Sequence, residues 1–587
     1  IIRAAEATIP TSSGNGKKKH AYFWNQTCSI AVRQRDQAKR ALKIDSPDYQ
    51  FIEYKKLKAK ATRTIKAEKR KSWRSFCSSL SHRTKLSKVW NVIKNFNSKN
   101  KTSSFPALEE ENGDFANTNF DKANVLGRHY AKISSTSNYS DTFRKHKRRF
   151  ETQNANTFNN RSNNSSVLNS PFKMGEFKKA LKKCKNTTPG KDRLSYEMFK
   201  HMSVYGQEMV LKFYNRIWEK GYIPKAWRHA LVIPILKPNK PKTNPASYRP
   251  IALTSNLCKL MERMIVSRLN WFLEKYNLIN KFQSGFRKNR NTIDQLLRLS
   301  DTILKSLANK SFVLAVFFDF EKAYDMVWRK AVLYKLQKLG VDGNLFNWIN
   351  NFLENRSIQV LVGSSTSDIF GLENGLPQGS VISPVLFLVA INDLCPTNVQ
   401  FSLFADDTAV WKSGRNVKYV QKQVQQAIDY IQSWCDKWGF KISTAKTKCM
   451  LFSKGKRSFI DLKLQGHQVE RVKTFKFLGL VFDQSFSWKE HIQYVINKCQ
   501  KRINILKYVS GSKWGADKAT MVILYKTLIR SILDYGSIIY QSACITNLKK
   551  LDVIQSQCLR ICCGALRCTA MEALEVDCGV IPLQLRR

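Results

Sequence analysis

The feature that most constrains this chain is a pair of carboxylates set between two strand-like runs near its middle. Val399-Gln400-Phe401-Ser402-Leu403-Phe404 alternates in polarity, and Thr408-Ala409-Val410-Trp411 resumes beyond Ala405-Asp406-Asp407. Two such runs meeting at a short turn predict a tight β-hairpin with acid at its tip. Adjacent aspartates disfavour each other's charge, so the tip calls for a counter-charge, most simply a bound cation. Asp319, 87 residues before Asp406, ends another apolar run, Phe312 to Phe318. If these strands are neighbours, Asp319, Asp406 and Asp407 converge at one sheet edge and make a hard-cation site.

That acid stands against a strongly basic background. The 587 residues hold 99 Lys and Arg against 44 Asp and Glu, a net charge of +55. Such a surplus points to a polyanionic partner, nucleic acid being the commonest, with an anionic membrane surface as the bland alternative. Mid-chain acids argue against a simple coating protein. No run of 18 or more apolar residues is present, so no membrane-spanning helix is expected. The polar start, with Lys17-Lys18-Lys19, has no secretory pattern, which leads us to expect a protein of the nucleus and cytoplasm. The first residue is Ile1 and not Met, so the sequence reads as a fragment.

Fourteen cysteines in such a chain read as reduced thiols. The carboxyl-terminal group, Cys558, Cys562, Cys563, Cys568 and Cys578, lacks CxxC zinc spacing. Cys558 and Cys562, one helical turn apart beside Leu559, suit small buried hydrophobes.

Along the chain, residues 1–45 are polar and linker-like. Ser46-Pro47-Asp48 predicts a helix start with Ser46 as cap, followed by a helical stripe through Phe51, Tyr54, Leu57, Ala61 and Ile65. Residues 51–100 carry fifteen Lys or Arg and two acids, a solvated face or a phosphate-contacting one. Arg144-Lys145-His146-Lys147-Arg148-Arg149 is a second basic cluster, suited to nuclear import or phosphate contact, and Asn154 to Asn169 reads as a flexible connection. From Pro171 onward strands and helices alternate around one sheet, which argues an α+β fold, and after Trp488 the pattern is helical.

A basic protein that gathers carboxylates and few other catalytic groups suits two-metal phosphoryl transfer, which needs positioning and charge neutralisation more than covalent help. Further segments sharpen this. Asp319-Phe320-Glu321-Lys322-Ala323-Tyr324-Asp325, Gly375-Leu376-Pro377-Gln378-Gly379-Ser380 with Ser383-Pro384, and Phe404-Ala405-Asp406-Asp407 follow in that order. Around them stand Thr188-Pro189-Gly190-Lys191-Asp192, Ile233 to Pro238, Tyr248-Arg249-Pro250-Ile251, Gly285-Phe286-Arg287 and Phe475 to Gly479. This ordered series, over roughly residues 170–480, resembles the reverse transcriptase of non-LTR retrotransposons, most closely the jockey-like group.

The resemblance implies an RNA-directed DNA polymerase adding dNTPs to a DNA 3′ end. Its shape would be a right hand: fingers over 170–310, a ferredoxin-like palm sheet over 311–482 and a helical thumb and C-terminal region over 483–587. A linker remnant (1–45) and a basic, mainly helical extension (46–169) would precede it. Asp319, Asp406 and Asp407, with the Phe320 carbonyl, would hold two Mg²⁺ ions, Mn²⁺ being able to substitute. Lys237 and Arg249 would hold the triphosphate, Tyr324 would act as a steric gate selecting deoxyribose, and Gln378 would lie against base and template. Lys446, with Lys448 close enough to compete for the role, would protonate pyrophosphate. Phe477, Leu478 and Gly479 would form the primer grip. The implied partners are an RNA template, a DNA primer and dNTPs, with no membrane.

Three departures from the family pattern stand out. Phe404 replaces a frequent Tyr, Arg193 stands where a small residue commonly sits, and Asp325 reads as structural. Ala7-Thr8-Ile9-Pro10 and Phe23-Trp24-Asn25 resemble the seam after an endonuclease that the sequence does not include. The alternative reading is a truncated, catalytically inactive remnant that only binds RNA.

Overall fold

The computed structural model describes residues 23–42, 46–81, 105–155, 167–454, 459–511 and 514–587, with positions 7, 83, 84 and 87 besides. Most of the linker-like start, and residues 156–166 of the Asn-rich connection, lie outside the described residues.

Two sheets organise the molecule, built from β1 (His229–Leu236), β2 (Tyr248–Leu253), β3 (Phe312–Phe318), β4 (Arg356–Val362), β5 (Gln400–Phe404), β6 (Asp407–Gly414) and β7 (Lys448–Phe452). The first sheet runs in the order Glu470–Arg471, β7, β3, β6, β5, with β3 central. β3 pairs antiparallel with both β6 and β7. Both of its faces are covered, which explains the unbroken apolar run. Leu314, Val316 and Phe318 enter one core, while Val313, Ala315 and Phe317 enter another. Helix Val417–Trp438 supplies Val420, Val424, Ile428 and Ile431 to the first core, and helix Thr292–Ala308 supplies Leu296, Leu299 and Ile303 to the second. Every strand residue therefore has an apolar partner layer, at roughly 1.5–3 kcal/mol for each large side chain buried.

The second sheet runs β2, β1, β4 and then Ser365–Thr366, with Phe370–Leu372 also on β4. β1 pairs antiparallel with β2 and parallel with β4. Its cover comes from the sequence-remote helix Asn119–Ser134, whose Ala123, Val125, Leu126 and Tyr130 pack with Val232, Ala252 and Val360. Gly127 lets that helix lie on Phe370, since a Cβ there would come within 2.3 Å of the ring. The next helix, Asp141–Gln153, buries Phe143 and sets Phe150 edge-on against Trp328, Tyr334 and Trp438. The basic cluster Arg144 to Arg149 thus lies on a helix docked to the main core.

Helices Gln26–Ala41 and Asp48–Ser78 form a hairpin, tied where Asn25 Nδ2 donates to Glu68 Oε2 at 2.7 Å. Pro47, in extended conformation, is the cap of the second helix, so the helix starts at Asp48, and Ser46 does not cap it. The ring fixes φ near its extended value and the chain turns helical only after it. The far end of this helix meets the carboxyl-terminal helices. Trp73 Nε1 donates to the Tyr508 carbonyl at 3.0 Å, the Arg74 guanidinium lies 5.6 Å from the Trp514 ring centre, and Cys77 is buried.

From Lys489 the described chain is helical, with helices Lys489–Val509, Lys518–Tyr525, Ile545–Cys563 and Met571–Cys578. Cys558 and Cys562 are buried among apolar residues. Cys563, Asp577 and Cys578 approach one another, but the carboxylate is already paired with Lys518 at 2.6 Å. No helix among the described residues is long and apolar enough to cross a membrane.

Candidate active site

The acidic tip is made by pairing. Asp407 faces Phe404 across a two-residue turn, Ala405-Asp406, and Thr408 faces Phe318 across the β6–β3 ladder. Asp407 and Asp319 are the next residues beyond that pair, and the Asp319 charge bears on Asp407. Strand adjacency, the condition on which the three-carboxylate site depended, is met.

The surroundings raise the proton affinity of two of the acids. Burial pushes the Asp406 carboxyl up, with the Asp319 charge adding to it. Asp407 is pushed up to about 6 by desolvation at the hairpin tip first, although its side chain still reaches solvent, then by Asp406 and Asp319. Like charges that close resist joint ionisation unless a cation neutralises them.

One cation is already in place. Lys446 Nζ donates to Asp319 Oδ2 at 3.0 Å. The backbone explains how it gets there. Helix Val417–Trp438 ends at Gly439 in left-handed conformation, φ 75°, and the chain then returns alongside Asp319 to Glu321. Phe320 bridges Ile442, with Glu321 N donating to Lys441 O and Ser443 N donating to Asp319 O. Neither bond uses the Phe320 carbonyl. The same segment separates the two candidate lysines, since Lys448 engages Glu470.

Tyr324 is next to the acids. Its ring stacks on Phe387 at 4.4 Å and 10°, and the exposed Phe286 stands edge-on at 6.5 Å. Burial and then the Asp406 charge raise its phenol far above the ordinary range. The hydroxyl has no hydrogen-bond partner among the described residues.

Gln378 reaches the site indirectly. Its Nε2 donates to Asp325 Oδ1 at 2.8 Å and its carbonyl accepts from Ala252 N at 2.7 Å, joining the loop to β2. Burial pushes Asp325 up to about 6, so it is a holder of Gln378 more than a free ligand. A Cβ on Gly379 would meet the Ala252 carbonyl at 2.4 Å, so only glycine permits this docking. Two residues that sequence reasoning passed over pin the same loop. Buried Arg329 donates to the carbonyls of Gly375, Leu372 and Asn374. Buried Glu262 accepts from Val381 N and Ile382 N at 2.6 and 3.1 Å. Neither residue lies in a chemically suggestive pattern, and no signal in the sequence marks them.

Across from the acids, the β1–β2 pair presents cations. Arg249, opposite Ile235 in register, is exposed, and Lys237 follows β1 directly. Lys237 has its proton affinity lowered by burial first and then by the Arg249 charge, while Asp325 opposes; Lys322 and Lys446 also lower it. The Arg249, Lys322 and Lys446 charges thus all act on Lys237, and Lys446 is the one that also bonds Asp319.

Phe477, Leu478 and Gly479 lie elsewhere, at the turn between Thr474–Phe477 and Leu480–Asp483. Leu478 and Gly479 both have positive φ, 43° and 90°. Phe475 stacks on Phe317 at 4.5 Å, on the face of β3 away from the Val417–Trp438 helix. The turn is held by Tyr535, whose hydroxyl donates to the Leu478 carbonyl at 2.7 Å.

These placements coincide with a family match. Residues 236–482 match the family described as reverse transcriptase (RNA-dependent DNA polymerase). That stretch of the chain is similar to reverse transcriptases. It is 29% identical over 418 residues to the RNA-directed DNA polymerase from mobile element jockey of Drosophila melanogaster, covering 68% of this chain and 45% of that protein. The jockey polymerase of Drosophila funebris is 30% identical over 405 residues, covering 67% and 44%. The probable RNA-directed DNA polymerase from transposon BS of Drosophila melanogaster is 28% identical over 402 residues, covering 66% and 44%. The chain thus spans less than half the length of these relatives. Among solved structures, apo telomerase of Candida tropicalis truncated from its C-terminal domain aligns with a TM-score of 0.31 at 13% identity, over 49% of this chain and 59% of that one.

Proposed function

We propose that the chain is an RNA-directed DNA polymerase of a jockey-like non-LTR retrotransposon, extending a DNA 3′ end on an RNA template with dNTPs. One observation carries the reading: Asp319, Asp406 and Asp407 converge with Lys446 as the cation bonded to Asp319, and the Arg249, Lys322 and Lys446 charges all bear on Lys237 nearby. A metal-bound triphosphate satisfies both the acids and the cations at once. The donor set fits divalent cations, being all oxygen and already attracting a lysine ammonium. Asp319, Asp406, Asp407 and the Phe320 carbonyl would hold two Mg²⁺, or Mn²⁺ in their place. Bound there, the cations would activate the primer hydroxyl and neutralise the leaving pyrophosphate.

The chain's own groups do the rest. Arg249 and Lys237 would orient the triphosphate, Arg249 through its bidentate fork. The Tyr324 ring, fixed against Phe387, would exclude a ribose 2′-hydroxyl. Gln378, aimed by Asp325, would back the incoming base. Lys446 would leave Asp319 once that carboxylate is otherwise neutralised, and would then face the pyrophosphate as general acid. The Leu478-Gly479 turn would hold the primer end. In this reading the first sheet is a ferredoxin-like palm, the second sheet belongs to the fingers together with helix Asn119–Ser134, and the carboxyl-terminal helices are the thumb. The test is primer extension by the purified chain on an RNA template with Mg²⁺. Extension that stops on chelation supports the reading; RNA binding without extension supports an inactive remnant.

A further inference from the structure

The acidic turn is strained, and something outside the hairpin holds it. Ala405 has φ 55°, a left-handed conformation that costs a residue with a Cβ about 1–2 kcal/mol. Its N–H does not bond across the turn; it donates to Gln283 Oε1 at 3.0 Å. The same oxygen accepts from Gly285 N at 2.7 Å, so one side chain ties its own loop and the hairpin together. Both neighbours are donors, which fixes the oxygen as the end facing them. Gln283 is 2% exposed, and its Nε2 has no partner among the described residues, so burial there is costly unless the oxygen matters.

The loop is braced in turn. Ser284 N donates to Leu403 O and Leu403 N to Phe282 O, and Gln295 Nε2 donates to both Phe282 O and Ser284 Oγ. Gly285 makes the approach possible by space alone. A Cβ there would stand 2.3 Å from Ala405 N, although its own φ is not positive.

We propose that Gln283 is the positioning residue that sets the Ala405-Asp406 turn for divalent-cation binding. It touches no reacting group; it acts by fixing the backbone from which Asp406 and Asp407 project. The inference rests on the polymerase reading only for its activity arm.

The test uses the full chain with Mn²⁺ as probe, free ion being followed by electron paramagnetic resonance. Gln283→Met keeps the length and removes the acceptor. It should weaken Mn²⁺ binding roughly tenfold, as loss of a supporting partner does at metal sites. It should also lower kcat while leaving the KM for dNTP nearly unchanged. Gln283→Glu, which retains an acceptor oxygen at the same reach, should recover most of the Mn²⁺ affinity. Gly285→Ala should reproduce the Met variant. A folded Gln283→Met chain with wild-type Mn²⁺ affinity overturns the proposal, as does equal loss in the Met and Glu variants. If the unsubstituted chain binds Mn²⁺ but extends no primer, the polymerase reading fails and the Mn²⁺ comparison still decides the role of Gln283.

Discussion

Tyr324 separates the ring from the hydroxyl in a way that can be measured. The ring is stacked on Phe387, while the hydroxyl is buried without a partner. Tyr324→Phe should therefore keep deoxyribose selection and stabilise the fold slightly, by up to about 1 kcal/mol. Tyr324→Ala should relax discrimination against ribonucleotides by roughly 10–200-fold, read from competing incorporation. Lys446→Ala should slow incorporation by about 10²–10⁴-fold without abolishing it, the span expected when a general acid is lost. Asp407 makes a prediction about pH. Its folded value of about 6 exceeds the roughly 3.9 of a free aspartate. The metal-free fold takes up a proton between those values, so this group's contribution to stability falls as pH rises through that window. Asp407→Asn should raise the melting temperature of the metal-free protein at pH 7 and match wild type near pH 4. The carboxylate is exposed, and solvent screening keeps the gain to a few degrees.

At the scale of elements, turns decide where the chemistry sits. The Leu478-Gly479 turn depends on Tyr535, 57 residues along the chain, so Tyr535→Phe should loosen it by about 1 kcal/mol and raise the KM for primer more than for dNTP. The strands that carry the acids were legible because β3 is buried on both faces and reads as one apolar run, and because β5 and β6 flank a two-residue turn. Helix Val417–Trp438 was legible through its unbroken stripe of apolar residues. The amphipathic pattern from Met198 to Trp218 divides between two helices, Tyr196–Lys200 and Val204–Lys220, with Ser203 capping the second. The capping hydroxyl competes locally with helix continuation, which periodicity does not register. Gln283, Glu262 and Arg329 were illegible as supports because each bonds backbone groups far away in sequence. Nothing about the residue itself records such a partner.

At the scale of the molecule, helix Asn119–Ser134 falls within the stretch the sequence presents as a basic extension, because its partner strands begin a hundred residues later. Its apolar face is what covers the second sheet. The longer helix Asp48–Ser78 carries exposed lysines and arginines along its length, and its carboxyl-terminal end is anchored through Trp73. If it lies on RNA, each lysine that contacts a phosphate should steepen the salt dependence of binding by about 0.7–0.9 in log–log slope. Replacing Lys55, Lys58 and Lys66 by Ala should flatten that slope and leave incorporation at saturating RNA intact. The central claim concerns the acidic tip and not the basic surface, and one comparison separates them. Mg²⁺-dependent dNTP incorporation and RNA affinity should be measured together for the unsubstituted chain and for Asp406→Ala. Incorporation should fall to background while RNA affinity stays close to wild type, one charge among +55 being a small part of the electrostatic attraction. Equal incorporation by the two proteins would contradict the assignment of the site.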